Sequence, residues 1–321
     1  MNRFDDILLS SGWLLVDKPQ GMPSARVGNL IRRTFNFGLP EKIIQKIGHV
    51  GTLDPMATGL LIFAVNEATK FIHFISSHDQ ASTRVQKEYI FDVSFGQSTD
   101  SYDAEGSVTG TSEHLPCAEQ LVKICQSMIG PQQQCPPVFS AIKFQGKRLC
   151  DLARRGQNPT PPMREIFVHS LELVQAAEED AVPVATFRAL VSGGTYIRSL
   201  AHDISLKAGT LGHVTSLRRT KDGMFDVSQS ISLEKLLNLA HKGCISDLVP
   251  IGAVLGDIPA VPVSEQGLDG VVRGNAFRTC QFDGEAGSEP VVVKITFEQA
   301  FLGIGSVQNG MCQPRRMLSF P

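Results

Sequence analysis

The run Leu60-Leu61-Ile62-Phe63-Ala64-Val65 constrains the fold more than any other stretch of this sequence. Six consecutive apolar residues, rich in branched side chains and preceded by a glycine, read as a strand with no polar face. A strand of that kind must lie inside a sheet covered on both sides. The run is also far too short to cross a bilayer, so no membrane partner is expected.

Immediately before it lies Gly48-His49-Val50-Gly51-Thr52-Leu53-Asp54-Pro55-Met56-Ala57-Thr58-Gly59, which reads as a glycine-punctuated loop. Pro55 drives Asp54 out of the helical region, and the glycines permit close approach of a ligand or another backbone. A carboxylate therefore stands at the mouth of a buried strand. No Lys or Arg lies within five residues of Asp54, so a partly buried Asp54 needs a cation from elsewhere in the chain. Taken alone, an Asp-Pro step starts turns more often than it marks a nucleophile.

The remaining pattern is mixed. Trp13 to Val16 reads as a buried strand ending in the turn Asp17-Lys18-Pro19-Gln20-Gly21. A helix follows, with Ser24 as its cap and Val27, Leu30, Ile31 and Phe35 on one face. From Tyr89 the apolar residues alternate (Tyr89, Phe91, Val93, Phe95), the period of a half-buried strand. Helical spacing returns at Leu121, Cys125, Met128 and Ile129, and strands are expected at Ile166 to Val174 and Val184 to Val191. Gly193-Gly194 then turns the chain into a helix through Ile197, Leu200 and Ile204, which puts Arg198 at a helix start facing an inter-element cleft. Prolines and glycines at 249–263 suggest a domain junction, and the runs Val291 to Phe297 and Phe301 to Val307 suggest a small β module after it. Strands and helices in this order indicate an α+β protein in about two domains.

With 30 basic and 32 acidic residues the formal charge is −2, so any polyanionic partner must be held by local patches. The densest patch is Lys143, Lys147, Arg148, Arg154, Arg155 and Arg164, six cations against Asp151 alone. Such a run is by default a solvated face. Seven widely spaced cysteines without a Cys-x-x-Cys pair argue for reduced thiols in a cytoplasmic protein, not for a disulfide framework or a zinc ribbon. Asp100, Asp103 and Glu105 lack the spacing and the closing acid of a calcium loop. Tyrosine is scarce, with three in the chain, and Tyr89 and Tyr196 begin a strand and a helix beside the other candidates.

Several of these pieces, in order, resemble the bacterial TruB family of tRNA pseudouridine synthases. They are Lys18-Pro19-x-Gly21, Gly48 to Gly59, Glu67-Ala68-Thr69-Lys70, Lys87-Glu88-Tyr89, Thr99-Asp100 to Gly106, Ser140-Ala141-Ile142-Lys143, Gly194 to Arg198, and Leu217-Arg218-Arg219. The resemblance runs from about Gly12 to the end of the chain. It implies a mixed, largely antiparallel central sheet flanked by helices in residues 1–250, with an RNA-gripping insertion at about 135–165. It further implies a small, β-barrel-like RNA-binding domain of the PUA type at 259–321.

The activity it implies is isomerisation of uridine 55 in the tRNA T loop by a monomer, without cofactor, metal or guide RNA. Asp54 resembles the family's essential aspartate, which attacks the flipped uridine at the anomeric carbon or the base, or removes a ribose proton. Tyr89 resembles the tyrosine that stacks on the target base and helps remove the C5 proton, and Arg198 the arginine paired with the aspartate. As substrate-binding residues the resemblance implies His49, in the space left by flipped bases, Lys18 in the turn beside the site, Tyr196, Leu217 at the pocket floor, and Lys143, Arg154 and Arg155 on RNA phosphates. Pro23 and Arg26 stand where the family has a hydroxyl residue and an acid, and Phe139 and Cys150 replace tyrosines. The rival from the binding class is a tRNA-folding factor with incidental catalysis. A retaining glycosidase would need a paired acid about 5 to 5.5 Å from Asp54, and no motif supplies one.

Overall fold

The computed structural model describes residues 10–76, 86–140, 142–144, 146–157, 159–177, 180–240, 245, 248–256, 258–279 and 289–319. Its centre is a ten-stranded mixed sheet built from β1 (Gly12–Lys18), β2 (Ile47–Val50), β3 (Thr58–Val65), β4 (Gln86–Phe95), β5 (Gly130–Gln134), β6 (Arg164–Ala176), β7 (Val184–Ser192), β8 (Gly212–Asp222), β9 (Phe225–Asp226) and β10 (Ile231–Ser232). The strand order is β10-β1-β3-β8-β4-β7-β6-β5, with β2 on β3 and β9 on β8. Only β1/β10 and β3/β8 pair in parallel; the other pairs are antiparallel. Helices α1 (Ser24–Phe35), α2 (Ala118–Ser127), α3 (Ile197–Lys207) and α4 (Leu233–Leu239) flank it.

β3 is buried on both faces, as its unbroken apolar run requires. Leu61, Phe63 and Val65 join one core with Val27, Ile31 and Phe35 of α1. Leu60, Ile62 and Ala64 join a second with Trp13, Phe71, Ile251 and Leu255. Each fully buried side chain of this size is worth about 1.5–3 kcal/mol.

The second core also takes Phe301, Ile304 and Leu318. The first two belong to a curled five-stranded half-barrel sheet of β11 (Ala260–Pro262), β12 (Phe277–Arg278), β13 (Val291–Phe297), β14 (Ala300–Gln308) and β15 (Met311–Met317), in the order β11-β13-β14-β15-β12. Helix α5 (Glu265–Val272) lies beside it, and the Phe71 and Phe301 rings meet edge to face, centroids 5.1 Å apart. Val249, Ile251 and Leu255 are packed into the body: Trp13 and Val249 exchange both backbone hydrogen bonds, and the Trp13 indole N–H donates to the Ile251 carbonyl. Among the described residues no helix is long and apolar enough to cross a membrane. The cysteines among them are free; Cys244 and Cys280 lie outside the described residues.

Two local expectations are corrected. The loop expected from Gly48 begins later, because β2 pairs with β3 and places His49 opposite Phe63. Ser24 does not cap α1: Pro23 holds the cap position without a side-chain bond, and the Ser24 hydroxyl is spent on Leu53. Two rival partners were open to that hydroxyl, and the buried Leu53 backbone takes it.

The parallel crossing of β3 and β8 depends on Gly59. Its φ is +97°, and a Cβ there would lie 2.2 Å from the Arg219 carbonyl oxygen. Gly59→Ala is therefore expected to cost about 3 kcal/mol or more through overpacking and left-handed backbone strain. Gly21→Ala, at φ +78° with open space around it, should cost only about 1 kcal/mol. Urea midpoints of the two variants check the contrast, and equal losses would contradict it.

Candidate active site

The loop between β2 and β3 is held from several directions. The Ser24 hydroxyl donates to the Leu53 carbonyl at 2.8 Å and accepts from the Leu53 N–H at 3.0 Å. The Gly21 N–H donates to the Pro55 carbonyl at 2.7 Å. Lys18, fully buried at the end of β1, spends its ammonium on the carbonyls of Pro19, Met22 and Pro55 at 2.9, 2.7 and 3.1 Å. With the flanking Leu53 and Met56 buried, the Asp54 side chain is left 34% exposed on the wall of a cavity of about 700 Å³.

The missing cation comes from α3. Gln134 on β5 brackets the backbone of Tyr196, the residue before the helix, accepting from its N–H at 2.8 Å and donating to its carbonyl at 3.0 Å. Arg198 in the first turn is 3% exposed; its guanidinium donates to the carbonyls of Ser101 (2.9 Å) and Phe139 (3.0 Å). Its Nε lies 2.9 Å from Asp54 Oδ2, and its Nη1 3.3 Å from Asp103 Oδ2. The Nε–H is not aligned for a hydrogen bond, so the contact with Asp54 is an ion pair without a directed bond.

Asp103 is itself buried and accepts from the Ser101 hydroxyl and the Glu105 N–H. One guanidinium thus serves two carboxylates. Glu105, also at the cavity, has its carboxyl pushed up by burial and by repulsion from Asp103 and Asp54, against the pull of Arg198 and Lys18.

Tyr89 on β4 and Leu217 on β8, both buried, complete this wall with Tyr196 and the exposed Arg154. Over the Tyr196 ring, 5.6 Å from its centroid, stands the Arg164 guanidinium, which donates to the Gly194 carbonyl at 2.9 Å. Of the other residues singled out by sequence, Lys18, His49 and Arg155 do not line the cavity. Lys18 stands behind the loop. His49 is on β2, its ring nitrogen 3.3 Å from the Thr52 hydroxyl and its pKa lowered by burial and by Arg219. Arg155 is exposed in the turn after Arg154. Lys143 falls on the short strand Lys143–Phe144, its side chain outside the described part, as is Ala141 of the same motif.

Sequence reasoning missed the partnership of Asp103 with Arg198 and the place of Arg164 over Tyr196. The motif Thr99 to Gly106 was visible, but nothing in it names a cation 95 positions away. The only available hint was a second acid that, if buried, also needed a charge partner.

Burial lowers the Lys18 ammonium to about 8 from 10.5, with Asp54 and Glu105 opposing the shift. Between those values the unfolded chain binds the extra proton, so the Lys18 contribution to stability rises with pH across that window. The stability of the wild type minus that of Lys18→Met, measured in urea, is expected to grow from pH 8 to pH 10. A difference that falls over this range would contradict the assignment.

Two family models match the chain: residues 41–197 match the TruB family pseudouridylate synthase (N terminal domain), and residues 198–249 the tRNA pseudouridylate synthase B C-terminal domain. The protein named tRNA pseudouridine synthase B from Zymomonas mobilis is 42% identical over 255 residues, covering 79% of this chain and 80% of that one. The one so named from a Ruegeria species is 35% identical over 310 residues, 96% of each. A structure of an H/ACA RNP bound to a substrate RNA containing 2'-deoxyuridine superimposes with a TM-score of 0.67 over 99% of this chain and 87% of that one, at 20% identity, a likeness of fold. With both models in sequence across residues 41–249 and relatives of this identity over most of the chain, the chain belongs to the TruB family and is a pseudouridine synthase, an isomerase.

Proposed function

We propose that this protein isomerises uridine 55 in the T loop of tRNA to pseudouridine, in the cytoplasm, as a monomer that needs no guide RNA. The observation that carries this reading is the open face of Asp54, held 2.9 Å from a buried guanidinium and sharing a cavity wall with Tyr89. The relatives are named for a tRNA substrate. In the reaction the C1'–N1 bond of the nucleotide breaks, a C1'–C5 bond forms, and the C5 proton leaves as N1 gains one. No atom is lost.

A uridine inside a folded loop is unreachable, so it must be flipped into the cavity at a cost of a few kcal/mol. Stacking on Tyr89 and contact with Leu217 offset that cost, since base–aromatic stacking is worth about 1–3 kcal/mol. Asp54 is the nucleophile and Tyr89 assists removal of the C5 proton. Arg198, the positioning partner of Asp54, keeps a fixed positive charge beside it and is in turn balanced by Asp103. His49 fills the space left by flipped bases, while Lys18 braces the loop from behind. Arg154, Arg155 and Lys143, with Tyr196 and Arg164, hold the RNA. In this reading residues 1–250 carry the chemistry, with the insertion at about 135–165, and 259–321 form a small RNA-binding domain.

Asp54→Asn keeps the shape and removes the charge. tRNA binding should stay within a few-fold of wild type while pseudouridine formation falls below detection. Tyr89→Phe keeps the stacking face, so binding should persist and single-turnover chemistry should slow by about 10² or more. Near-normal turnover of the Asn variant would remove Asp54 from the reaction. Mapping of pseudouridine in an unmodified tRNA transcript tests the site: modification is expected at uridine 55 of the transcript and of an isolated T stem-loop. The same nucleotides in an unstructured strand should react poorly, because the loop is read by shape. Equal rates on the two, or modification elsewhere, would overturn the assignment.

A further inference from the structure

Lys87 and Arg219 also line the cavity, beyond Tyr89, and no step of the proposed chemistry uses them. Both flank the same stacking residue: Arg219 on β8 lies opposite Tyr89 on β4, and Lys87, two residues before Tyr89 on β4, lies opposite Asp222. Side chains two apart on a strand share a face, about 7 Å from one another. Behind both cations sits the buried carboxylate of Asp222, with one Oδ2 2.9 Å from Lys87 Nζ and 3.4 Å from Arg219 Nη1. Two cations on one carboxylate leave one positive charge uncompensated.

Arg219 is built for something further. It is 1% exposed, and its Nε donates to the Leu60 carbonyl at 2.7 Å. Its Nη2 is buried, yet has no hydrogen-bond partner among the described residues. Leaving such a donor unpaired is costly, about 1–3 kcal/mol or more for a charged group. The backbone opposite is bare by necessity: Gly51, at φ +67°, would place a Cβ 2.8 Å from Lys87 Nζ and 3.5 Å from Arg219 Nη1. A side chain there would press into the space between the two cations.

We propose that Lys87 and Arg219, balanced from behind by Asp222 and faced by the bare backbone of Gly51, form a seat for one phosphodiester of the RNA backbone beside the stacked nucleotide. This rests on the reading of the cavity as the RNA site. A phosphate oxygen accepts from Lys87 Nζ beside the positive guanidinium of Arg219, and the single net charge of the cluster matches the single charge of a phosphodiester. The seat fixes the strand beside the stacking face, so it positions the flipped nucleotide and takes no part in the bond changes. Free inorganic phosphate has the same chemistry, and the test separates the two.

The test uses full-length protein and T stem-loop RNAs in which one phosphate at a time is replaced by a neutral methylphosphonate. In wild type, one substitution flanking the target uridine is expected to weaken binding by about tenfold or more, the scale of a charge-assisted hydrogen bond. Lys87→Gln should bind the unsubstituted RNA more weakly, lower the slope of log affinity against log salt by about one, and be indifferent, within twofold, to that same substitution. Lys87→Arg should keep the wild-type pattern. Gly51→Ala, which crowds the seat without removing a charge, should also become insensitive there, and it decides the matter if Lys87→Gln does not fold. A scan in which wild type and both variants respond alike at every phosphate overturns the proposal. So does inorganic phosphate, at constant ionic strength, competing with RNA in wild type but not in Lys87→Gln while the scan shows no such position, since the seat would then hold the free ion. Pseudouridine formation by wild type on the unsubstituted stem-loop is read in parallel, so a failure of the seat is distinguished from a failure of the tRNA reading.

Discussion

The buried guanidinium of Arg198 is the contact on which the geometry of the cavity depends. It gathers the loop of Asp54, the segment carrying Ser101 and Asp103, the carbonyl of Phe139 and the first turn of α3 onto one planar group. A cation at that depth is tolerated only when its charge is balanced, and replacing it alone would leave two acids without compensation. Because Asp103 supplies the buried share of that balance, Asp54 is free to keep part of its surface open to the cavity.

That arrangement is only as rigid as the strands beneath it. β3 is locked by apolar burial on both faces, and its parallel edge meets β8 where Gly59 passes over Arg219. The same crossing fixes Arg219, while the Ser24 and Lys18 contacts fix the loop from the α1 side. Stability and site geometry therefore share residues. Lys18 is the clearest case, since it sits in the core at an energetic cost visible in its lowered pKa and returns that cost as three carbonyl contacts around the loop.

The second core ties the half-barrel sheet to the main one. Trp13, Phe71 and Leu60 meet Phe301, Ile304 and Leu318 there. Burial on both faces of β3 is thus completed by residues from the end of the chain. The pseudouridine synthase sheet and the C-terminal strands stabilise each other through the strand that leads out of the Asp54 loop.

Local chemistry made much of this legible in advance. The unbroken run Leu60 to Val65 demanded a doubly covered strand, the alternation from Tyr89 demanded a half-buried one, and Asp54, lacking a local cation, demanded a partner from elsewhere. These are properties of neighbouring residues, and neighbours in sequence are what periodicity and turn chemistry report. Its place at a helix start after a Gly turn made Arg198 a candidate for that partner, and the family resemblance pointed to the same residue. What sequence did not reveal is which distant groups meet: Asp103 as the second acid on Arg198, Ser24 turned from a helix cap to a clamp on Leu53, His49 drawn into a strand, and Lys87 and Arg219 sharing Asp222 beside Gly51. Those outcomes were decided by the tertiary structure, because a buried charge or hydroxyl takes whichever partner the packed chain places within reach, and that choice has no trace in local spacing.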